Sequence, residues 1–288
     1  MNVFDSYSPF IREFIYSRGW QSLSPVQVAA AEIIFGTPDN LLLPSQTASG
    51  KTEAAFFPIL SEFYDDMPAT FGALYIAPLK SLINDQFLRI SELCDETGIL
   101  QITPESLEAM LMTRSSDLIR LFGDLRYIVI DEIHTLMGSD RGNQIICLLA
   151  RLRDKTGVSP RRIGLSATLG DMDKAAAWLG SGSGRDTRIP AIPPAKVKWR
   201  LGMEHFYIAS ADSAEEPTPE GNKRSETFSL DPGYEYIYDA TKGKKAIVFS
   251  NSREETEYIC ATLREIAEYR GEPDRFLIHH GFLSASIR

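Results

Sequence analysis

The segment SQTASGKTEAA, residues 45–55, places a lysine and a threonine where a helix is expected to begin. The apolar run Leu41–Leu43 precedes it and is typical of a short buried strand. A strand, a tight loop and a helix N-terminus form an anion site, because loop N–H groups point inward and the helix dipole favours negative charge. Lys51 offers a cation to phosphate, and Thr52 offers a hydroxyl to magnesium. The segment therefore fits a nucleotide phosphate loop with Ser45 at the first glycine position.

This loop defines a set of candidate nucleotide-binding residues. The small residues in its middle keep the backbone open to phosphate oxygens. The alternative is that Gly-Lys-Thr occurs by chance at a helix start. Only other motifs in the chain can distinguish these two interpretations. The predicted phosphate-binding residues are Ser45, Gln46, Thr47, Ala48, Ser49, Gly50, Lys51 and Thr52.

A second candidate for chemistry is the segment YIVIDEIHTL, residues 127–136, in which an apolar run ends in two acids. Asp131, together with Thr52, would hold a magnesium ion, and Glu132 would orient and deprotonate an attacking water. A polar strand end entering a loop is the simpler alternative. Lys51, Asp131 and Glu132 are the predicted catalytic residues.

The elements that must position these residues alternate along the chain. Short apolar runs separated by helical stretches predict a parallel sheet covered on both faces, with ligands at the carboxyl ends of the strands. Thr103 and Pro104 are expected to cap and open one of the helices. The predicted strands are 41–43, 73–76, 99–102, 127–130 and 163–165, and the predicted helices begin near 51 and span about 79–93, 143–153 and 171–179.

A Gly-, Ser- and Pro-rich stretch, residues 180–196, interrupts this alternation and reads as a flexible linker. Strands at 205–209, 246–249 and 276–278 and a helix at 254–269 are predicted after it. The expected organisation is a first domain at 1–185, a linker at 186–204 and part of a second domain at 205–288.

Composition limits the class of protein. The 288 residues carry a net charge of −9, so the chain has no global basic surface for nucleic acid. The three cysteines have neither metal nor disulfide spacing, and there is no run of 18 apolar residues. A cytoplasmic location without a membrane partner is expected.

The sequence resembles superfamily 2 helicases of the DExH type along nearly its whole length. DEIH, residues 131–134, matches the family's D-E-x-H box, and LSAT, residues 165–168, its motif III. Other segments resemble the Q motif and motifs Ia, Ib and IV, and two of them indicate the large helicase-related branch, near the Ski-type helicases. These segments are SPVQ (24–27), IAPLKSLINDQ (76–86), TPESL (103–107), IVFSNSR (247–253) and IHHGFLS (278–284).

The resemblance implies an α/β fold with a RecA-like P-loop NTPase domain and a partial second RecA-like domain, using ATP and Mg²⁺. It has Gln27 reading the adenine edge. The remaining residues also have simpler interpretations. Pro78 could end a strand, Lys80 could be a solvated charge, Ser166 and Thr168 could be turn hydroxyls, and His134 could be a core histidine. The implied nucleic-acid contacts are Pro78, Leu79, Lys80, Thr103, Pro104, Asn251 and Arg253, and the implied coupling residues are His134, Ser166, Ala167 and Thr168.

Two departures from the family pattern stand out. Only 26 residues separate Ala77 from Thr103, where the family places a further strand and helix. Either this protein lacks that unit, or residues are missing between Gly98 and Ile99; the second is expected, because a lost strand would leave a gap in a buried sheet. Motifs V and VI, with arginines that contact the γ-phosphate, should follow Arg288, so this chain should bind ATP but hydrolyse it poorly.

The function expected from the sequence is an ATP-dependent helicase or translocase acting on nucleic acid, with DNA favoured over RNA. Analogy with bacterial relatives suggests DNA repair or defence. The alternatives are a translocase that remodels protein–nucleic-acid complexes without unwinding, a non-hydrolysing binding module, and a P-loop kinase or transporter ATPase. Intact Lys51, Asp131 and Glu132 disfavour the binding module, and the order of the other motifs disfavours the kinase.

Overall fold

The computed structural model describes residues 3–45, 49–78, 98–167, 169–192, 200–207 and 231–279. The chain divides into two compact units, Met1–Ala195 and Lys196–Arg288. The predicted helix at 79–93 lies outside the described residues.

In the first unit, strands alternate with helices along the chain. A 3₁₀ turn at Val3–Ser6 precedes them. The strands are β1 (Asn40–Pro44), β2 (Ala73–Ile76), β3 (Ile99–Ile102), β4 (Tyr127–Ile130), β5 (Arg161–Ser166) and β6 (Thr187–Arg188). The helices are α1 (Pro9–Ser17), α2 (Pro25–Gly36), α3 (Lys51–Asp65), α4 (Pro104–Thr113), α5 (Leu118–Phe122), α6 (Ile133–Leu136), α7 (Asp140–Thr156) and α8 (Met172–Gly180).

The six strands form one parallel sheet in the order β3-β2-β4-β5-β1-β6. The five predicted strands of this unit are present. The register pairs Leu43 with Leu165 and Ile76 with Ile130. Since all strands run in one direction, the segments that follow them meet at one edge of the sheet, which we call the carboxyl edge.

Alternate residues of each strand enter two separate hydrophobic clusters. Leu41 and Leu43 pack with α1, α2 and α3, whereas Leu42 packs on the other face with α4, α5, α6 and α7. Along β4, Val129 joins the first cluster and Ile130 the second. The sheet is therefore covered on both faces, as the continuous apolar runs of its strands predict.

Strands β2 and β3 are neighbours in the sheet. The two strands pair along their full length, from Ala73–Ile99 to Ile76–Ile102. The sheet is continuous at this position, and the expectation of residues missing between Gly98 and Ile99 stays a prediction.

The predicted linker begins too early. Thr187–Arg188 form β6 and pair with β1 at Asn40 and Leu41. The Asn40 amide donates to Ser183 Oγ at 2.9 Å and accepts from the Arg162 backbone N–H at 2.9 Å. These tertiary bonds, which no local pattern announces, hold part of residues 180–188 on the first unit.

The second unit contains two helices, α9 (Pro232–Thr241) and α10 (Arg253–Tyr269). They pack through Tyr238, Leu263 and Ile266, and α10 agrees with its prediction to within one residue. The strands predicted at 246–249 and 276–278 are not formed, nor is one at the described positions 205–207. A strand needs a neighbouring backbone about 4.8 Å away, and the described residues of this unit provide none to these segments.

Among the described residues, no helix is both long and apolar enough to cross a lipid bilayer.

Gly142 allows α7 to pack closely against the helix that follows the acid pair. A Cβ at this position would lie 2.0 Å from the Leu136 carbonyl oxygen. We expect Gly142→Ala to lower the free energy of unfolding by about 1–3 kcal/mol, measured by urea denaturation, because the backbones must separate. The control is Gly36→Ala, at the end of α2, where a Cβ has open space and no loss is expected. Equal stability of the two variants would contradict this account.

Candidate nucleotide site

The phosphate loop joins the end of β1 to the first turn of α3. Ser45 N–H donates to the Ser166 carbonyl at 3.0 Å. The Lys51 ammonium, on the first residue of α3, donates to the carbonyls of Ser45 at 2.6 Å and Ser166 at 3.1 Å. The loop is thereby tied to the end of β5. Gln46, Thr47 and Ala48 lie outside the described residues.

Gly50 shapes the entry to α3. Its φ is +81°, and a Cβ there would lie 2.8 Å from Gln27 Nε2, so backbone conformation and space both favour glycine. Gln27 is only 3% exposed. Its Oε1 accepts from the Ser24 backbone N–H at 2.9 Å, and Ser24 Oγ donates to the Ser49 carbonyl at 3.3 Å. The SPVQ segment is thus packed directly on the phosphate loop.

The two acids follow β4 at the same edge. Asp131 is 6% exposed, and its backbone N–H donates to the Ile76 carbonyl at 2.9 Å. Glu132 has φ +50° and ψ +44°, the one left-handed non-glycine conformation among the described residues. That backbone costs about 1–2 kcal/mol. The Glu132 N–H offsets part of the cost by donating to Asp131 Oδ1 at 2.8 Å.

Tyr75 is a site residue that the sequence analysis did not single out. It is buried in β2, and its hydroxyl donates to Asp131 Oδ2 at 2.5 Å. A tyrosine within an otherwise apolar buried strand was the available signal, since buried phenols need a hydrogen-bond partner. Its partner is far away in sequence and only the sheet pairing identifies it.

The charges of the site are electrostatically coupled. Burial lowers the pKa of the Lys51 ammonium, and the Glu132 and Asp131 carboxylates oppose this shift. Burial and, secondarily, the Asp131 carboxylate raise the pKa of Tyr75, so this phenol donates as a neutral group. The lysine of one segment and the acids of another, some 80 residues apart in sequence, therefore lie within interaction range.

His134 lies between the acid pair and the end of β5. Its Nδ1 is 3.2 Å from Ser166 Oγ and 3.3 Å from Glu132 Oε2. Ser166 is fully buried, and Ala167 beside it is half-buried. Thr168 lies outside the described residues. Of the coupling candidates, His134 thus contacts the Glu132 carboxylate directly, and Ser166 contacts His134.

The residues fit a magnesium nucleotide. Magnesium bound with a nucleotide needs one or two protein oxygens and takes its other ligands from phosphate and water. Thr52, in the first turn of α3, and Asp131 provide such oxygens and are both buried. Ser49 Oγ is buried without a hydrogen-bond partner among the residues that the structure describes. Within that same part of the chain there is no cluster of three or more His, Cys, Asp or Glu side chains suited to a metal.

The candidate nucleic-acid contacts of the first unit follow β2 and β3 at the carboxyl edge. Pro78 is buried just after β2. Thr103 caps α4, with its Oγ accepting from the Ser106 N–H at 3.4 Å, and Pro104 is the first residue of that helix. This capping agrees with the prediction. Leu79 and Lys80 lie outside the described residues.

Asn251 and Arg253 belong to the second unit and stand at the start of α10. The Asn251 backbone N–H donates to Glu255 Oε2 at 2.8 Å, and the Arg253 guanidinium pairs with Glu257 at 3.0 Å. Both residues are exposed. Their contact with nucleic acid stays a prediction.

Comparison with known proteins shows what the chain is similar to. It is 27% identical to the ATP-dependent helicase Lhr-Core of Saccharolobus solfataricus, over 99% of this chain and 35% of that protein. It is 30% identical to the ATP-dependent DNA helicase Hel308 of Pyrococcus abyssi, over 86% of this chain and 34% of that protein. The chain thus spans about a third of the length of these curated relatives.

A solved structure is similar over nearly the whole chain. The helicase Lhr of Mycobacterium smegmatis, bound to ssDNA and AMP-PNP, superposes with a TM-score of 0.71 at 26% identity, covering 99% of this chain and 40% of that one. The RecA-like helicase fold expected from the sequence is therefore confirmed, as is the resemblance to the large helicase-related branch. The family model described as DEAD/DEAH box helicase matches residues 24–175. This chain belongs to the DEAD/DEAH box helicase family.

Proposed function

We propose that this chain forms the ATP site of a helicase or translocase that moves on nucleic acid. The observation that carries the proposal is that Lys51 and His134 both contact Ser166 at the carboxyl edge of the sheet, and that His134 also contacts Glu132, the neighbour of Asp131. In parallel α/β sheets this edge is where ligands bind. The similarity to ATP-dependent helicases supports the reading, and the activity of the whole protein is inferred from it.

The residues of the site have distinct roles in this proposal. Lys51 exchanges the carbonyls of Ser45 and Ser166 for the outer phosphates of ATP. Thr52 and Asp131 hold Mg²⁺, which neutralises charge on the phosphates when bound. Glu132, aimed by its left-handed backbone, accepts the proton of the attacking water. Gln27 recognises the adenine edge from its position against Gly50, and the loop residues Gln46, Thr47, Ala48 and Ser49 surround the phosphates.

Coupling between ATP and nucleic acid runs through the end of β5. His134 touches both the Glu132 carboxylate and Ser166 Oγ. A change at the phosphates that moves Glu132 would therefore also shift His134 and, through it, the segment Ser166, Ala167 and Thr168. A two-state change driven by nucleotide in this way turns hydrolysis into stepping.

The partner is a nucleic-acid strand held by its backbone. Pro78 and the N-terminus of α4 at Thr103–Pro104 follow adjacent strands, and a helix N-terminus favours phosphate. Leu79 and Lys80 would add contacts from the first unit, and Asn251 and Arg253 are the contacts proposed for the second unit. Such contacts bind without reading sequence. DNA is favoured over RNA because the similar Lhr and Hel308 proteins are described with DNA.

Two parts of the proposal concern the cellular setting. A cytoplasmic location fits an ATP-using protein whose Cys147 and Cys260 are free thiols. A role in DNA repair or defence stays a prediction. Separation of strands is distinguished from remodelling of protein–nucleic-acid complexes by a strand-displacement assay on the product of the complete gene.

The first test is Mg²⁺-dependent binding of a fluorescent ATP analogue to this chain. We expect Lys51→Met to weaken binding by about 10- to 100-fold, because a charge-assisted bond to phosphate contributes about 1.5–3 kcal/mol. The control is Lys174→Met, whose lysine is 80% exposed on α8 and pairs with Asp171. The proposal fails if both variants bind like the unchanged chain, or if the unchanged chain does not bind.

The second test concerns turnover and uses the product of the complete gene, with single-stranded DNA, duplex DNA and RNA of one sequence as stimulants. Glu132→Gln should keep ATP affinity and lose at least about a hundredfold in ATPase rate, because the general base is removed. Asp154→Asn, an exposed acid on α7, is the control and should leave the rate unchanged. Normal hydrolysis by Glu132→Gln would show that another group accepts the proton.

A further inference from the structure

Tyr75 connects the strand before the candidate nucleic-acid contacts to the acid pair. Its register partner across the sheet is Val129, two residues before Asp131. From β2 the phenol reaches along β4 and donates to Asp131 Oδ2 at 2.5 Å, and the side chain is 1% exposed. Its ring packs on Phe56 of α3, with centroids 5.7 Å apart. One side chain therefore contacts both the helix that begins with Lys51 and the acid at the end of β4.

This hydrogen bond sets the orientation of the whole carboxylate. Tyr75 holds Oδ2, and the Glu132 N–H holds Oδ1, so rotation of the Asp131 side chain would break both bonds. Each carboxylate oxygen has two lone pairs, which leaves one on each oxygen for a metal ion or its water. The same arrangement supports the left-handed backbone of Glu132, because the Glu132 N–H needs Oδ1 in its present place.

A second phenol in the same sheet provides a structural comparison. Tyr127, at the start of β4, is also buried, and its hydroxyl donates to the Glu62 carboxylate on α3. This pair is also a phenol–carboxylate bond, but it is only partly buried, it has the Arg161 guanidinium as a further neighbour, and it lies at the opposite edge of the sheet, away from the phosphate loop. Removal of either hydroxyl breaks a phenol–carboxylate bond, whereas only Tyr75 touches a proposed magnesium ligand.

We propose that Tyr75 is a positioning residue for the magnesium nucleotide: it fixes Asp131, and through Asp131 the backbone of Glu132, before the ligand arrives. The inference rests on the proposed function, because it assigns Asp131 to the metal. Partners that orient a metal-binding carboxylate commonly change metal affinity by 10- to 100-fold when removed.

The experiment measures binding of N-methylanthraniloyl-ADP to this 288-residue chain, first in EDTA and then across a MgCl₂ titration. Tyr75→Phe keeps the ring against Phe56 and removes the hydroxyl. We expect it to raise the Mg²⁺ concentration for half-maximal binding by about tenfold and to leave the affinity in EDTA within about twofold. Tyr127→Phe should lower the melting temperature by a similar amount and change neither binding quantity.

The outcomes separate this inference from the proposed function. If the unchanged chain binds with a clear Mg²⁺ dependence and Tyr75→Phe shows the same dependence, the positioning role is wrong and the ATP site stands. An equal Mg²⁺ shift in Tyr127→Phe would also overturn it, because loss of stability would then be the cause. If the unchanged chain shows no nucleotide binding, the proposed function and this inference are both wrong.

A second measurement covers the case in which Tyr75→Phe does not fold. In the unchanged chain labelled with ¹³Cζ-tyrosine, the assigned Tyr75 resonance should shift when Mg²⁺ is added to the ADP-bound protein, while that of Tyr127 stays. An unchanged Tyr75 resonance would overturn the positioning role.

Discussion

Ser166 joins the parts of this site that lie far apart in sequence. Its carbonyl accepts hydrogen bonds from the Ser45 N–H and the Lys51 ammonium, and its hydroxyl lies 3.2 Å from His134. These contacts exist because β5 lies between β1 and β4 in the sheet. A strand order that moved β5 elsewhere would separate the phosphate loop from the acids, and no local change could restore their contact.

The site concentrates features that do not favour stability. Lys51 and Asp131 are charged groups removed from much of their water, and Glu132 has a strained backbone. Each has a specific compensation: carbonyls for the lysine, a phenol and an N–H for Asp131, and a carboxylate for the Glu132 N–H. The strands behind them are mostly apolar, and their buried polar residues, such as Asn40 and Arg162, have hydrogen-bond partners of their own. Natural proteins place energetically unfavourable features at functional sites and compensate for them elsewhere in the fold. The strained and charged residues at the strand ends here, on strands that pack well along their length, follow this pattern.

Two segments of the chain differ from what their composition predicts, and for the same physical reason. Residues 180–188 look like a linker because Gly, Ser and charged residues dominate them, yet Asn40 and Arg162 bind this stretch to the first unit. The apolar runs at 246–249 and 276–278 look like strands, but Ile247 and Leu277 are 80% and 92% exposed and pair with no backbone within the described residues of their unit. In both cases the deciding factor was the presence or absence of a partner elsewhere in the chain. Local propensity does not contain that information.

The sequence by itself determined five of the six strands of the first unit, the start of α3 at Lys51 and the candidate loop and acid residues, because these depend on apolar runs, breakers and residue chemistry within a few positions. The tertiary structure alone decided that β3 pairs with β2 without a gap, that Gln27 packs on Gly50, and that Tyr75 holds Asp131. These contacts join residues 23 to 56 positions apart. The strand pairing and the Tyr75–Asp131 bond depend on the register of neighbouring strands, and the Gln27–Gly50 contact depends on α2 packing beside the loop; both are properties of the assembled domain.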